Sequence, residues 1–405
     1  MIELKGTYTN CKIMTDNIEE QALEQIQNLC NHPKFKGSKI RVMPDVHAGA
    51  GCVIGLSAET DKTFAIPNII GVDISCTVST YKIKFDDWQN NLAKLDEVIH
   101  NNIPAGFKMR NSKSKHVSSE FAEKVKATCI RINDMNHYNT HINSLGTLGG
   151  GNHFIELDIS KVTGEAYLTI HCGSRNFGLK IAKYYQDKAE QYYEKYRKDM
   201  VQNIINNTPP AERSSLFAKL KKENEEIDKS LLWIEGDDLK NYIIDMKTAQ
   251  EFARLNHQII FKEIQEKMEW DEPLETIVSN HNYIEFKEDK FVIRKGAVNA
   301  DKDKLLIIPL NMRDGVLICK GKGNDDWNST SPHGAGRKMS RKTAQTNISM
   351  EEYKASMEGI YSTCINENTL DEAPAAYKSS IEDYISDTVE IIDRLYPVYN
   401  FKASM

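Results

Sequence analysis

Hydrophobic and polar positions change period several times along the chain. Over residues 17–30, apolar Ala22, Leu23, Ile26 and Leu29 recur at helical spacing and predict an amphipathic helix. Residues 38–58 are apolar and Gly-rich around Pro44-Asp45-Val46-His47. From Ala65 to Val72 the chain is apolar and reads as a strand, followed by a turn and by alternation through Val78 and Tyr81. Residues 84–133 predict a loop and two helices, and residues 145–174 two short strands joined by a turn. Residues 178–270 read as mostly helical, charged and Tyr-rich, broken at Pro209-Pro210. Short strands return over 276–320, and residues 350–394 predict helix again, broken around Pro374.

Strands and helices do not alternate as repeated βαβ units, so neither a doubly wound sheet nor a βα barrel is indicated. The expectation is one large α+β domain over residues 1–405, with a helical elaboration at about 178–270 packed on a sheet core. No stretch has the composition of a linker. Composition adds exclusions. With 40% hydrophobic and 27% charged residues in 405, the chain is ordinary globular material. Its 52 Lys+Arg against 58 Asp+Glu give a formal charge of −6, so a nucleic acid would need a local basic patch. The mildly basic run Lys108, Arg110, Lys113 and Lys115 reads as solvated surface. No run of eighteen apolar residues occurs, so no membrane span or membrane partner is expected. Met1 to Gly6 lacks the apolar core of a signal peptide. Eight scattered cysteines with no Cys-x-x-Cys pair suggest a reducing cytoplasm, with most thiols serving as small core residues.

The chemistry lies in a few segments. No phosphate-binding Gly-x-x-x-x-Gly-Lys loop, dinucleotide fingerprint or Lys-x-Asp-Gly segment is present. Asp73 and Cys76 follow the apolar run; an i, i+3 pair diverges on a strand but converges in a tight turn. His153 stands in Gly-Gly-Gly-Asn-His-Phe-Ile-Glu, His171 ends the alternating segment Ala166 to Ile170, and His281 lies in Asn-His-Asn-Tyr. Singly, each histidine is an ordinary core or loop residue. Together with Asp73 and Cys76 they supply donors for two borderline-soft divalent cations sharing a thiolate. His333 opens His-Gly-Ala-Gly-Arg-Lys-Met-Ser-Arg-Lys. Its glycines allow close backbone approach, and Arg337 and Arg341 would share a helical face. A histidine there is a candidate carrier of a phosphoryl or nucleotidyl group.

These motifs, in this order, resemble one family, the RtcB-type tRNA-splicing and RNA-repair ligases. The match rests on Met43-Pro44-Asp45-Val46-His47, Gly71 to Cys76, Leu145 to Glu156, His171 to Arg175, His281 to Tyr283, Arg294 to Ala297, Ser331 to Arg341 and Ala373 to Lys378. The resemblance implies central mixed β-sheets surrounded by helices. It also implies a GTP- and manganese-dependent enzyme joining RNA 3′-phosphate or 2′,3′-cyclic phosphate ends to 5′-hydroxyl ends, in tRNA splicing or RNA repair. By motif, His333 would carry GMP. Cys76 would bridge two manganese ions, with Asp73 and His153 completing one and His171 and His281 the other. Asn152, Phe154, Glu156, Pro309, Met312, Gly334, Ala335, Tyr377 and Lys402 would bind the nucleotide; period-two spacing puts Asn152, Phe154 and Glu156 on one strand face. Arg175, Arg337 and Arg341 would hold RNA phosphates, with Asp45 and His47 in supporting positions. The family's usual Pro-Gly-Ser-Met-Gly loop is here Pro309-Leu310-Asn311-Met312-Arg313, with side chains where two glycines are expected. A different reading, a dimetal phosphoesterase that hydrolyses cyclic phosphate ends without sealing, would need the metal donors alone. A non-catalytic RNA-binding relative would need none of them.

Overall fold

The structure is a computed structural model that describes residues 1–225, 227–379 and 381–403. Residue 226 of the expected helical stretch and residues 380 and 404–405 of the expected single domain lie outside the described residues. Two large sheets organise the chain. The six-stranded sheet runs Ile2–Lys5, Asn10–Ile13, Lys39–His47, Ile54–Thr60, Phe291–Lys295, Tyr283–Phe286, with one parallel neighbour pair, Asn10–Ile13 beside Lys39–His47. The seven-stranded sheet is antiparallel throughout: Glu275–Asn280, Thr77–Ile83, Ala166–Cys172, Phe154–Ser160, Val389–Lys402, Gly315–Gly321, Leu305–Asn311. Its two edges meet, where Ile307 N–H donates to Ser279 Oγ at 2.7 Å. The sheet therefore curls almost into a barrel, which hides its edges.

Alternation decides what each face of that sheet does. Tyr81, Leu157, Leu168 and Ile170 point outward into a core shared with the helices Trp88–Asn102 and Gly236–Met268. Val78, Tyr167, Ile307, Val316, Ile318 and Leu395 pack together on the enclosed side. The helices Arg175–Asn207, Pro210–Glu225 and Gly236–Met268 occupy the predicted helical stretch. The last of these joins both cores. Leu239, Tyr242, Met246 and Phe252 pack with the six-stranded sheet, and Ile260, Phe261 and Ile264 with the seven-stranded one. It also props the site. Asn256 Nδ2 donates to Cys172 Sγ at 3.0 Å, and His257 Nε2 lies 3.1 Å from the Cys172 carbonyl oxygen.

Two sequence expectations fail. The apolar run 65–72 is not a strand: Pro67–Ile70 is a helical turn with Pro at its first position, and Val72 is half-exposed. A short run buried on all sides carries no period by which helix and strand can be told apart. The stretch 350–394 is not mainly helical. After the helix Met350–Ser356 come short 3₁₀ turns, and from Val389 begins the 14-residue strand Val389–Lys402. That strand pairs on both sides, with Phe154–Ser160 and Gly315–Gly321, so long-range hydrogen bonding overrides local pattern.

Phe252 is fully buried and stacks on Phe177 at 5.0 Å between ring centroids. Phe252→Ala is expected to cost about 3–5 kcal/mol by leaving a cavity in the helix that serves both cores. Phe286→Ala, at a ring 39% exposed, should cost under about 1 kcal/mol. Urea unfolding of both variants tests this; equal midpoints would refute the tie between the cores.

Candidate active site and metal centre

A cavity of about 330 Å³ opens between the curled sheet and the loops around it. Phe154, Glu156, His171, Asn400 and Lys402 line it from the curled sheet. Pro309 also lines it from that sheet, and Asp73, Cys76, Asn152, His281, Met312, His333, Gly334, Ala335, Arg337, Arg341 and Tyr377 from surrounding segments. His153 and Arg175 do not line it but stand directly behind it: His153 Nε2 is 3.6 Å from Cys76 Sγ, and Arg175 Nη1 is 3.3 Å from His153 Nδ1. Residues more than two hundred positions apart thus converge.

The turn carrying Asp73 and Cys76 is pinned to the loop after Glu275–Asn280. Ser75 N–H donates to the Asn282 carbonyl, Asn282 Nδ2 to the Asp73 carbonyl, and His281 N–H to the Cys76 carbonyl, all at 2.9–3.0 Å. Two donor sets share Cys76. Cys76, His171 and His281 form one, and Asp73, Cys76 and His153 the other; within each, the ligand atoms lie within 4.8 Å of one another. Backbone carbonyls orient the rings. His171 Nδ1 lies 3.2 Å from the Asn152 oxygen and carries its proton there, while His153 Nδ1 stands between the Leu148 oxygen at 3.0 Å and Arg175 Nη1 at 3.3 Å. Both rings turn Nε2 toward Cys76, His171 at 3.2 Å and His153 at 3.6 Å. Such orientation of imidazoles by outer partners is typical of metal ligands.

Burial, reinforced by nearby His153 and His333, holds His171 well below the ordinary histidine range, and burial with His333 does the same to His281. Both are therefore neutral, as ligands must be. Burial and Asp73 push the Cys76 thiol up. His153 is held up at about 9 although burial alone would lower it, since Cys172 and Asp73 outweigh that cost. His281 Nδ1 is buried without a hydrogen-bond partner among the described residues. A set of three imidazoles, one carboxylate and one shared sulfur, with an orphaned ring nitrogen, fits borderline-soft divalent ions.

His333 sits beside this set, its ring centroid 4.8 Å from that of His281. Asp45 Oδ2 accepts from His333 Nδ1 at 2.7 Å and from its backbone N–H at 3.2 Å. The Nδ1 proton is thereby fixed and Nε2 keeps its lone pair. Asp45 reaches this position because Gly336 lets the chains touch: a Cβ there, at φ +74°, would lie 2.4 Å from the Asp45 carbonyl oxygen. Ala335 N–H donates to the Pro309 carbonyl at 3.0 Å, tying the His333 loop to residues 309–315. In that turn Leu310 packs into an apolar cluster, and Arg313 points outward to pair with Asp314.

The residue that sequence reading missed is Glu372. It is buried and accepts from Lys402 Nζ at 2.7 Å, Arg341 Nη1 at 2.6 Å, Arg337 Nη1 at 3.1 Å and Tyr377 Oη at 2.5 Å. Asp371 takes a further bond from Arg341 at 2.6 Å. The acidic pair immediately before Ala373-Pro374 is the signal that could have found it: those basic residues need a counter-charge. Burial would raise the Glu372 carboxyl, but Lys402 and Arg341 hold it at about 2. The condition for Arg337 and Arg341 to share a helical face is not met. Arg337 is non-helical, and the helix Arg341–Asn347 begins only at Arg341, with Ser340 as its cap. They converge through Glu372 instead. Likewise Asn152 precedes the strand Phe154–Ser160 rather than lying on it; Phe154 and Glu156 alone share its inner face.

A family model described as tRNA-splicing ligase RtcB matches residues 25–403. The RNA-splicing ligase RtcB of Escherichia coli (strain K12) is 30% identical over 420 residues, covering 95% of each chain. The tRNA-splicing ligase RtcB of Archaeoglobus fulgidus is 25% identical over 465 residues, covering 96% of this chain and 90% of its own. That of Nanoarchaeum equitans is 25% identical over 483 residues, covering 98% and 94%.

Two predictions follow from the geometry. Cys76→Ser should keep the fold but lose at least one divalent ion, because a hydroxyl replaces a sulfur common to both donor sets, whereas Cys364→Ser should keep full metal content. Elemental analysis of the purified variants decides; unchanged metal in Cys76→Ser would overturn the sharing. Glu372, with its pKa depressed from 4.5 to about 2, contributes stability that is complete above about 4.5 and is lost as pH falls toward 2. The contribution is about 3 kcal/mol. Glu372→Gln should therefore lower stability at pH 7 and flatten the slope of unfolding free energy between pH 4.5 and 2.

Proposed function

The chain belongs to the RtcB family of RNA ligases, and from that premise we propose that it joins RNA ends bearing a 3′-phosphate or 2′,3′-cyclic phosphate to 5′-hydroxyl ends, using GTP and manganese. The observation that carries this reading is His333: a partly exposed imidazole with its Nδ1 proton held by Asp45, beside the shared-cysteine donor sets. Its Nε2 lone pair attacks the α-phosphorus of GTP, forming a P–N bond as pyrophosphate leaves. Two manganese ions, held by Asp73, Cys76 and His153 and by Cys76, His171 and His281, would neutralise phosphate charge during displacement. Asn152, Phe154, Glu156, Pro309, Met312, Gly334, Ala335, Tyr377 and Lys402 bind the nucleotide, and Arg175, Arg337 and Arg341 hold RNA phosphates.

A cyclic end is first opened by water to a 3′-phosphate. GMP then passes from His333 to that phosphate, and the 5′-hydroxyl oxygen attacks the activated phosphorus and expels GMP. Asp45 positions the imidazole throughout. The phosphoesterase alternative needs no nucleotide and leaves His333, Tyr377 and Lys402 without a task. The reading places the enzyme in tRNA splicing or RNA repair in the cytoplasm. No helix among the described residues is long and apolar enough to cross a membrane.

His333→Ala is expected to abolish transfer of label from α-labelled GTP to the protein while retaining metal. Wild type should give an acid-labile, alkali-stable labelled band on denaturing electrophoresis, as a phosphoramidate does. Label that persists in the variant, or sealing without nucleotide, would refute the role of His333.

A further inference from the structure

Phe107 is 93% exposed, and Met109, two residues on, is 45% exposed. A bare phenyl ring forgoes about 1.5–3 kcal/mol of burial. The loop that carries it is nonetheless firmly held: Leu148 N–H donates to the Pro104 carbonyl at 2.9 Å, Gly106 N–H to the Gly149 carbonyl at 2.8 Å, and Arg110 N–H to the Asn143 carbonyl at 3.1 Å. Those anchors belong to the site. The Leu148 oxygen orients His153. At Gly149 a Cβ would stand 1.9 Å from Arg175 Nη1, so only glycine admits that guanidinium. The run that reads as uniformly solvated in the sequence divides in two. Arg110 lies 3.3 Å from Glu263 and Lys115 2.7 Å from Glu266, both neutralised. Lys108 and Lys113 are exposed and have no carboxylate partner among the described residues.

An exposed aromatic ring with two free ammonium groups, bolted beside Arg175, has the composition that grips unpaired nucleotides, because every base offers a stacking face and every linkage a charge. A protein with a net charge of −6 gains little from non-specific attraction, so such a local feature matters. We propose that residues 107–113 are a stacking platform for a single-stranded stretch of the RNA beside the ends to be joined. Phe107 stacks on an unpaired base, and Lys108 and Lys113 pair with backbone phosphates. This rests on the RNA-ligase reading but is read out by binding, independently of sealing.

The test is fluorescence anisotropy of the full chain with a labelled single-stranded RNA ending in a 3′-phosphate, across a salt series. Phe107→Ala should weaken binding about 5- to 150-fold. Phe107→Trp should bind within about threefold of wild type, with its indole fluorescence quenched on RNA addition. The double variant Lys108→Ala/Lys113→Ala should reduce the slope of log affinity against log salt by about 1.4. Labelling by α-labelled GTP should be unchanged in every variant, since none lies in the reaction cavity. Unchanged RNA affinity in Phe107→Ala, as expected if the ring serves a protein partner, overturns the platform, and so does an unquenched Phe107→Trp. Absence of GTP labelling in wild type would count against the ligase reading alone.

Discussion

The sulfur of Cys76 is the point on which the site turns. It lies against two imidazoles in a buried setting, where burial and the Asp73 carboxylate push the thiol up. A thiolate there is unfavourable until a divalent ion supplies the charge. The surroundings follow from that constraint. Carbonyls at Leu148 and Asn152 orient the rings, Asn256 and His257 brace Cys172 from behind, and the turn at 73–76 is tied to residues 281–282. Apart from His281, none of these partners belongs to a donor set. They hold side chains from distant segments in register, as outer partners of metal ligands do.

A second balance of charge governs the far wall of the cavity. Lys402, Arg337 and Arg341 would repel one another if left alone, and Glu372 and Asp371 offset two of their three charges. Arg341 is 39% exposed on its side chain, whereas Lys402 is buried. The wall therefore keeps one formal positive charge, most accessible at Arg341. Between the two walls, the Asp45–His333 bond gives the His333 imidazole a defined tautomer.

The curled sheet explains why the pieces meet. Antiparallel pairing puts His171 opposite Phe154 and Phe154 opposite Lys402, so residues far apart in sequence become cross-strand neighbours. Sheet closure through Ile307 and Ser279 brings the strand leading to Pro309 beside the strand leading to His281. The long helix Gly236–Met268 fixes the sheet against its neighbour.

Much of the site was legible in the sequence because its chemistry is carried by residue types that are costly to place idly. Histidines, a cysteine and a carboxylate beside glycine-rich turns pointed to a donor set, and the structure brings those side chains and His333 to one cavity. The α+β character and the helical stretch were legible from periodicity. What only the tertiary structure decided was partnership. Glu372 drew no attention because a lone acidic residue in a loop is ordinary until the cations around it are seen. The run 65–72 was misread because most of it is buried without a local period, and the strand Val389–Lys402 because its state is set by long-range pairing on both sides. The convergence of Arg337 and Arg341 came from a shared carboxylate and not from a helix. Sequence by itself determined which chemistry the chain can do; long-range contacts decided which atoms face one another, since hydrogen bonds and ion pairs depend on distances in space that residue order does not contain.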